Sequence, residues 1–150
     1  MSMLFNNKHA GKVSDGSNHF GYFARKDPAG RQKYYYDSEE MIDLLYNVTS
    51  LALWTPFNEG WGQFDSARMY CLLRDLDATR FIDTASGWFS HKGMRTHVES
   101  LHVYFKPVKI KAGPKPVVLS EFGGYVYKVA DHSFNREKTY GYGSYKTRQE

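Results

Sequence analysis

The pattern that most constrains the fold is a short apolar run, followed by an amphipathic helical stretch and a second apolar run. Residues 51–54 form the first run, which ends at Thr55-Pro56 and is typical of a strand buried on both faces. Asp65 provides an N-cap for the stretch that follows, whose apolar residues share one stripe: Met69, Leu72, Leu73 and Leu76. Residues 80–84 favour a second strand. Because a strand–helix–strand unit with short joints crosses over right-handed, the sequence predicts parallel pairing and an α/β fold.

One further helix is predicted before this unit. Asp37 can cap a helix over residues 38–46, and Glu40 stands in the capping-box position. Residues 1–36 are rich in Asn, Gly, Lys and Tyr without steady periodicity, which indicates irregular structure. The expected organisation is one domain over residues 1–150, irregular as far as residue 36.

Two more strands are predicted in the second half of the chain, over residues 101–105 and 116–120. The connections that precede them, residues 85–100 and 106–115, show no clear amphipathic helix. The pattern alone therefore supports an α/β sheet and does not prove a barrel.

The composition favours a folded domain: 41% of the residues are hydrophobic and 24% are charged. No apolar run approaches the roughly 18 residues that span a bilayer, and residues 1–12 lack the apolar stretch of a signal peptide, so we expect a cytoplasmic location and no membrane contact. The net charge of +4 is spread along the chain, which argues against a nucleic-acid surface. The single cysteine, Cys71, is expected to be a small buried apolar residue on its helix.

Polar groups follow each predicted strand. Asn58-Glu59 comes after the first strand, Ser86-Gly87-Trp88 after the second and Glu121 after the fourth, while Tyr104 lies in the third. In parallel α/β folds ligands bind at this edge. Two carboxylates with nearby tryptophans are what glycosidic cleavage requires, since one protonates the leaving oxygen and the other attacks or stabilises the anomeric carbon.

A glutamate at the start of a loop is more often simply solvated or caps a helix. Here the surroundings favour a functional role. Glu59 is flanked by Phe57 and Trp61, and Glu121 is followed by Gly123-Gly124, which lets the backbone turn sharply and leaves room for a substrate.

Five segments in the same order resemble the catalytic barrel of glycoside hydrolase family 2, which includes β-galactosidases, β-glucuronidases and β-mannosidases. The two longest are WTPFNEGWGQ at 54–63 and LSEFGGY at 119–125. The others are DATR at 77–80, ASGW at 85–88 and HVYF at 102–105. The resemblance implies a retaining hydrolase of terminal β-glycosides, β-galactoside-like, on part of a TIM (β/α)8 barrel.

The resemblance also implies roles for individual residues. Glu59 would be the acid/base, and Asn58 would bind the sugar 2-hydroxyl. Glu121 would be the nucleophile, and Tyr104 would hydrogen-bond to it.

Three further residues are expected at the substrate. Trp61 and Trp88 are candidates for walls of the sugar site, although ordinary packing explains them equally well. His102 shares a strand face with Tyr104 and is placed among the substrate-binding residues. No pair of histidines has the short helical spacing of a zinc site, so the sequence predicts no metal and no cofactor.

Only strands four to seven of an eight-stranded barrel have counterparts in the 150 residues, which are short for a barrel of about 250. An incomplete barrel has open sheet edges, so we expect self-association or docking onto a complementary barrel fragment. The alternative reading is a catalytically incomplete remnant that binds carbohydrate without cleaving it. A nucleic-acid-binding module is a third reading, but nothing in the sequence resembles a known motif of that kind. The sugar and its linkage stay open.

Overall fold

The computed structural model describes residues 14–59, 62–87 and 94–149. In these ranges the chain forms two α-helices, α1 (Pro28–Leu45) and α2 (Ser66–Leu76), and a short 3-10 helix (Ser17–His19). The strands are β1 (Leu53–Trp54), β2 (Phe81–Ile82), β3 (Glu99–Val103), β4 (Val117–Phe122), β5 (Tyr125–Tyr127) and β6 (Gly143–Tyr145). Within the same ranges no helix is long and apolar enough to cross a membrane.

The strands form three parallel pairs: β1 with β2, β3 with β4, and β5 with β6. The predicted parallel pairing of the first two strands is confirmed, and α2 connects them as expected. The strand predicted at 101–105 is observed two residues earlier, and the strand predicted at 116–120 extends to Phe122. Strands β5 and β6 were not predicted. Three separate pairs in the described ranges do not amount to a barrel, which stays a prediction.

Helix α1 begins ten residues before the predicted start, so the prediction of irregular structure is wrong for residues 28–36. Asp27 is its N-cap, not Asp37. The Asp27 carboxylate accepts hydrogen bonds from the N–H groups of Ala29 and Gly30, each at 3.0 Å, and proline occupies the first helical position.

The early start of α1 escaped detection because its first half carries little apolar periodicity. Its buried residues are Tyr35, Ser38 and Ile42, one of which is polar. Asp37 lies inside the helix, where it forms an ion pair with Lys33. Residues 1–13, the rest of the segment predicted to be irregular, lie outside the described ranges.

Helix α2 confirms the predicted helix, although its cap differs from the expected one. Asp65 has left-handed backbone angles and makes no capping hydrogen bond through its side chain. The buried Asp15 carboxylate does so instead, accepting from the Ser66 N–H at 3.2 and 3.3 Å and from Gln63 Nε2 at 2.8 Å. A residue 51 positions earlier therefore closes the N-terminus of α2.

The core lies between the two helices and the β1–β2 pair. Its centre is Phe64, which makes ring contacts with Phe20, Tyr34, Tyr35 and Phe57. The other buried members of this core are Ile42, Trp54, Met69, Leu73, Ile82, Ala85 and Met94. Cys71 is exposed, so the expectation that it is buried is wrong.

A buried carboxylate joins β1, α2 and β2. Asp77 accepts hydrogen bonds from Trp54 Nε1 at 2.8 Å, from Thr79 Oγ1 at 2.6 Å and from Arg80 at 2.7 Å. Burial raises the pKa of the Asp77 carboxyl, but these hydrogen bonds outweigh burial and hold the pKa well below its usual range. Arg80 also donates to the carbonyls of Tyr46, Val48 and Leu51. The network fixes the two strands whose ends carry the site.

Candidate active site

Glu59 stands beyond the end of β1, where the backbone pairs with the loop after β2. Asn58 and Ser86 form a parallel bridge, the Glu59 N–H donates to the Ser86 carbonyl at 2.7 Å, and the Ser86 N–H donates to the Phe57 carbonyl at 2.8 Å. Glu59 has a φ of 51°, in the left-handed region that a non-glycine residue seldom adopts. Such a conformation persists only where neighbouring contacts hold it. The bridge therefore sets the direction in which the Glu59 side chain leaves the backbone.

Strands β3 and β4 bring the other side chains to the same place. Their register pairs His102 with Glu121, just after an irregularity between Leu101 and His102. A bulge of this kind re-aims the side chains that follow it. His102 and Tyr104 both reach the Glu121 carboxylate. The β3–β4 pair therefore brings the Glu121 carboxylate together with the two side chains that contact it, His102 and Tyr104.

His102 lies between the two glutamates. Its Nδ1 atom is 2.8 Å from Oε1 of Glu59 and 3.4 Å from Oε2 of Glu121. The His102 side chain is 0% exposed, whereas the side chains of Glu59 and Glu121 are 20% and 35% exposed. One oxygen of each carboxylate and the imidazole nitrogen all lie within 4.8 Å of one another. The two carboxylates therefore face each other at an opening to solvent, with the imidazole behind them.

Three serines hold the far side of the imidazole. Ser86 Oγ lies 3.0 Å from His102 Nε2, 3.0 Å from Ser100 Oγ and 3.2 Å from Ser120 Oγ. Ser100 and Ser120 also share a hydrogen bond. Since Nε2 has a hydroxyl partner, the ring is held with Nδ1 directed at the carboxylates.

Tyr104 donates a hydrogen bond from its hydroxyl to Oε2 of Glu121. That hydrogen bond, burial and the negative charges of Glu121 and Glu59 raise the pKa of the Tyr104 hydroxyl above its usual range. The hydroxyl therefore stays protonated and can serve as a donor. The Tyr142 ring packs against Tyr104 with its centroid 4.7 Å away, and Phe105 lies 5.0 Å from Tyr142. The phenol next to Glu121 is thus supported by an aromatic cluster.

Four of the predicted site residues come together: Glu59, Glu121, His102 and Tyr104. Asn58 lies beside them in the chain and is exposed. The two tryptophans predicted to wall the sugar site, Trp61 and Trp88, lie outside the described residues.

The structure buries His102, and its predicted contact with sugar stays a prediction. Its side chain is enclosed and its two ring nitrogens face protein groups, Ser86 on one side and the glutamates on the other. These contacts suit a residue that holds the two carboxylates in place.

Sequence reasoning missed Ser100, Ser120 and Tyr142. Ser120 precedes Glu121 and could have been noticed as part of the same motif, whereas Ser100 and Tyr142 carry no local signal. The three ligand atoms of Glu59, His102 and Glu121 were also not recognised as a group that could hold a metal ion, because they come from three distant segments.

Comparisons with protein-family models and with curated proteins find no match for this chain. The resemblance to glycoside hydrolase family 2 therefore stays a prediction that rests on the five motif segments.

Proposed function

We propose that the chain carries the active site of a retaining β-glycosidase built on part of a family 2 type barrel, with Glu59 as acid/base and Glu121 as nucleophile. The observation that supports this most directly is the pair of neighbouring carboxylates, since one oxygen of Glu59 lies within 4.8 Å of one oxygen of Glu121. Retaining enzymes hold their carboxyl groups about 5–5.5 Å apart, whereas inverting enzymes leave roughly 6.5–9.5 Å for a water molecule. The short separation favours retention.

The hydrogen bonds support the assignment of the two roles. The nucleophile must be ionised, and Glu121 accepts a hydrogen bond from a phenol that stays protonated. The Glu59 carboxylate contacts the His102 imidazole, whose proton-bearing nitrogen can keep it oriented as it changes between acid and base.

The reaction then proceeds in two displacements. In the first, Glu59 gives its proton to the glycosidic oxygen while an oxygen of Glu121 attacks the anomeric carbon, and the bond to the leaving group breaks. In the second, Glu59 takes a proton from water, the water oxygen attacks the same carbon, and Glu121 leaves as a carboxylate. Two inversions at one carbon give retention.

The expected substrates are terminal β-glycosides, β-galactoside-like, as the resemblance implies. Exposed rings near the site suit a sugar: Tyr142, which packs on Tyr104, is 40% exposed, and Phe105, which packs on Tyr142, is 71% exposed. Aromatic faces stack on the apolar face of a pyranose while the hydroxyl groups remain in water.

The test is hydrolysis of aryl β-galactosides, β-glucuronides and β-mannosides, with the anomeric configuration of the first product followed by NMR. We expect a β-product. Glu121→Gln should lower turnover roughly a thousandfold or more, because removal of a nucleophile leaves only binding and electrostatic contributions. Glu59→Ala should slow hydrolysis and regain rate with azide, which can enter the vacated space and attack the glycosyl-enzyme.

The matched control is Glu99→Gln, an exposed glutamate on β3 that should leave turnover unchanged. Full turnover in Glu121→Gln, or an inverted first product, would contradict the proposal. Saturable sugar binding without turnover of any of the three substrate types would favour the carbohydrate-binding alternative.

A further inference from the structure

We propose that Glu59, His102 and Glu121 also form a binding site for Zn²⁺, which inhibits the glycosidase by occupying both of its carboxylates. The binding itself is independent of the proposed function, and only the inhibition rests on it. Glu59 lies in the loop after β1, next to the Asn58–Ser86 bridge, whereas His102 lies on β3 and Glu121 on β4.

The distances between the donor atoms suit a small cation. Tetrahedral zinc with bonds of about 2.0–2.2 Å holds its ligand atoms about 3.4 Å from each other. His102 Nδ1 already lies 3.4 Å from Glu121 Oε2 and 2.8 Å from Glu59 Oε1, and all three atoms lie within 4.8 Å. Zinc binding therefore requires shifts of roughly an ångström or less in two partly exposed carboxylates.

The imidazole is held in the orientation that a ligand needs. Metal-binding histidines usually give their second nitrogen to an oxygen acceptor, which fixes the ring and its tautomer. His102 Nε2 has Ser86 Oγ at 3.0 Å, and Ser86 is in turn held by Ser100. When the metal takes Nδ1, the imidazole proton moves to Nε2 and is donated to Ser86.

Charge also favours a dication at this position. When both glutamates are ionised they offer two negative charges, which a divalent ion neutralises. Metal binding therefore releases the proton that Glu59 carries before the first catalytic step. Both glutamates remain partly exposed, so a water molecule can complete the coordination and the ion can enter from solvent. One nitrogen and two oxygens suit zinc better than magnesium or calcium, which prefer oxygen ligands alone.

Zinc coordination and glycoside hydrolysis both use the lone pairs of the Glu59 and Glu121 carboxylates. A metal-bound Glu121 cannot attack carbon, and a metal-bound Glu59 cannot hold the proton for the leaving oxygen. Inhibition should therefore be competitive with substrate and reversed by a chelator.

The experiment is isothermal titration of the metal-free protein with Zn²⁺ in the absence of any sugar. We expect one site per chain that is lost or weakened roughly tenfold or more in Glu59→Gln and in Glu121→Gln, since each change removes a charged ligand. Glu99→Gln, on the same strand as His102 but exposed, is the matched control and should bind as the wild type does. Mg²⁺ at the same concentration should not compete.

The two proposals fail separately in this design. If Zn²⁺ binds through the two glutamates and no glycoside is cleaved, the metal site stands and the glycosidase proposal falls. If hydrolysis is found but saturating Zn²⁺ leaves it unchanged, or if zinc affinity is the same in all three variants, the metal site is overturned. Folding of each variant is checked by circular dichroism and by its urea midpoint, and the conservative Gln changes keep the side-chain volume.

Discussion

Gly87 lies against the imidazole of His102, so closely that a Cβ atom at position 87 would be 2.3 Å from Nδ1. Gly87 also has a φ of 75°, which side-chain-bearing residues rarely adopt. Gly87→Ala should therefore push the ring away from the carboxylates, lower hydrolysis and weaken zinc binding. The strain and the clash should each cost about 1–3 kcal/mol of stability, measured by urea denaturation.

A substitution at a second glycine separates the effect of the steric clash with His102 from the effect of backbone strain. Gly123 has a φ of 95°, yet a Cβ there would meet nothing within 4 Å. Gly123→Ala should lose stability through backbone strain alone. If Gly87→Ala is no less stable than Gly123→Ala, the close packing of Gly87 on His102 is wrong.

Tyr104→Phe tests the hydrogen bond that the Tyr104 hydroxyl donates to Glu121. The change removes one hydroxyl from a hydrogen bond to a charged group, a contact worth about 1.5–3 kcal/mol. We expect kcat/KM for an aryl glycoside to fall about tenfold to a hundredfold. Zinc binding should not weaken, because the phenol is no metal ligand and its hydrogen bond competes with the metal for Oε2 of Glu121. Tyr127→Phe, an exposed tyrosine on β5, is the control. Equal activity in both variants would remove Tyr104 from the mechanism.

The parts of the fold that were predicted correctly have signals close together in the sequence. Helix α2 carries its apolar stripe and a polar start, and β1 is a short apolar run that ends at a proline. What could not be predicted depends on residues far apart in the chain. Asp15 closes α2 from 51 positions away, and nothing around Asp15 indicates this.

The same distinction holds for the candidate site. Glu59 and Glu121 were found because each stands in a distinctive motif at a predicted strand end. The enclosure of His102 and the contact of Tyr142 with Tyr104 arise only when β3, β4 and the C-terminal segment pack together. Side-chain alternation placed His102 on the correct strand face but could not show how deeply it is buried.

Asp77→Asn should be strongly destabilising. The change removes the charge of a buried carboxylate that pairs with Arg80, whose side chain is largely buried, and leaves that cation with a weaker acceptor. Breaking a buried pair costs about 3–5 kcal/mol, and the urea midpoint should fall accordingly. Asp75→Asn, on the exposed face of α2, should have little effect.

The Asp77 carboxylate also makes the stability of the folded protein depend on pH, and its lowered pKa decides the direction of that dependence. The folded pKa of Asp77 is lowered, so its stabilisation is present above the unfolded value of about 3.9 and is lost as the pH falls through the folded value. Wild-type stability should therefore fall more steeply below pH about 4 than that of Asp77→Asn. Parallel curves for the two proteins would show that the hydrogen bonds to Asp77 do not depend on its charge.

His97 should control stability in a higher pH range. Its Nδ1 accepts a hydrogen bond from the Ile82 N–H at 2.8 Å, which requires the neutral ring, and its Nε2 lies 3.0 Å from the Tyr70 hydroxyl. Burial lowers the pKa of His97, and the charges of Arg74 and Lys115 lower it further. The unfolded chain therefore takes up the proton first as the pH falls below about 6.5, and stability decreases from there through the folded pKa.

His97→Gln should be less stable than the wild type at pH 7.5 and should show a flatter stability profile between pH 5 and 7.5, measured by urea denaturation. His132→Gln, at an exposed position, should keep the wild-type slope. If stability depended on pH as steeply in His97→Gln as in the wild type, a group other than His97 would cause the loss of stability in this pH range.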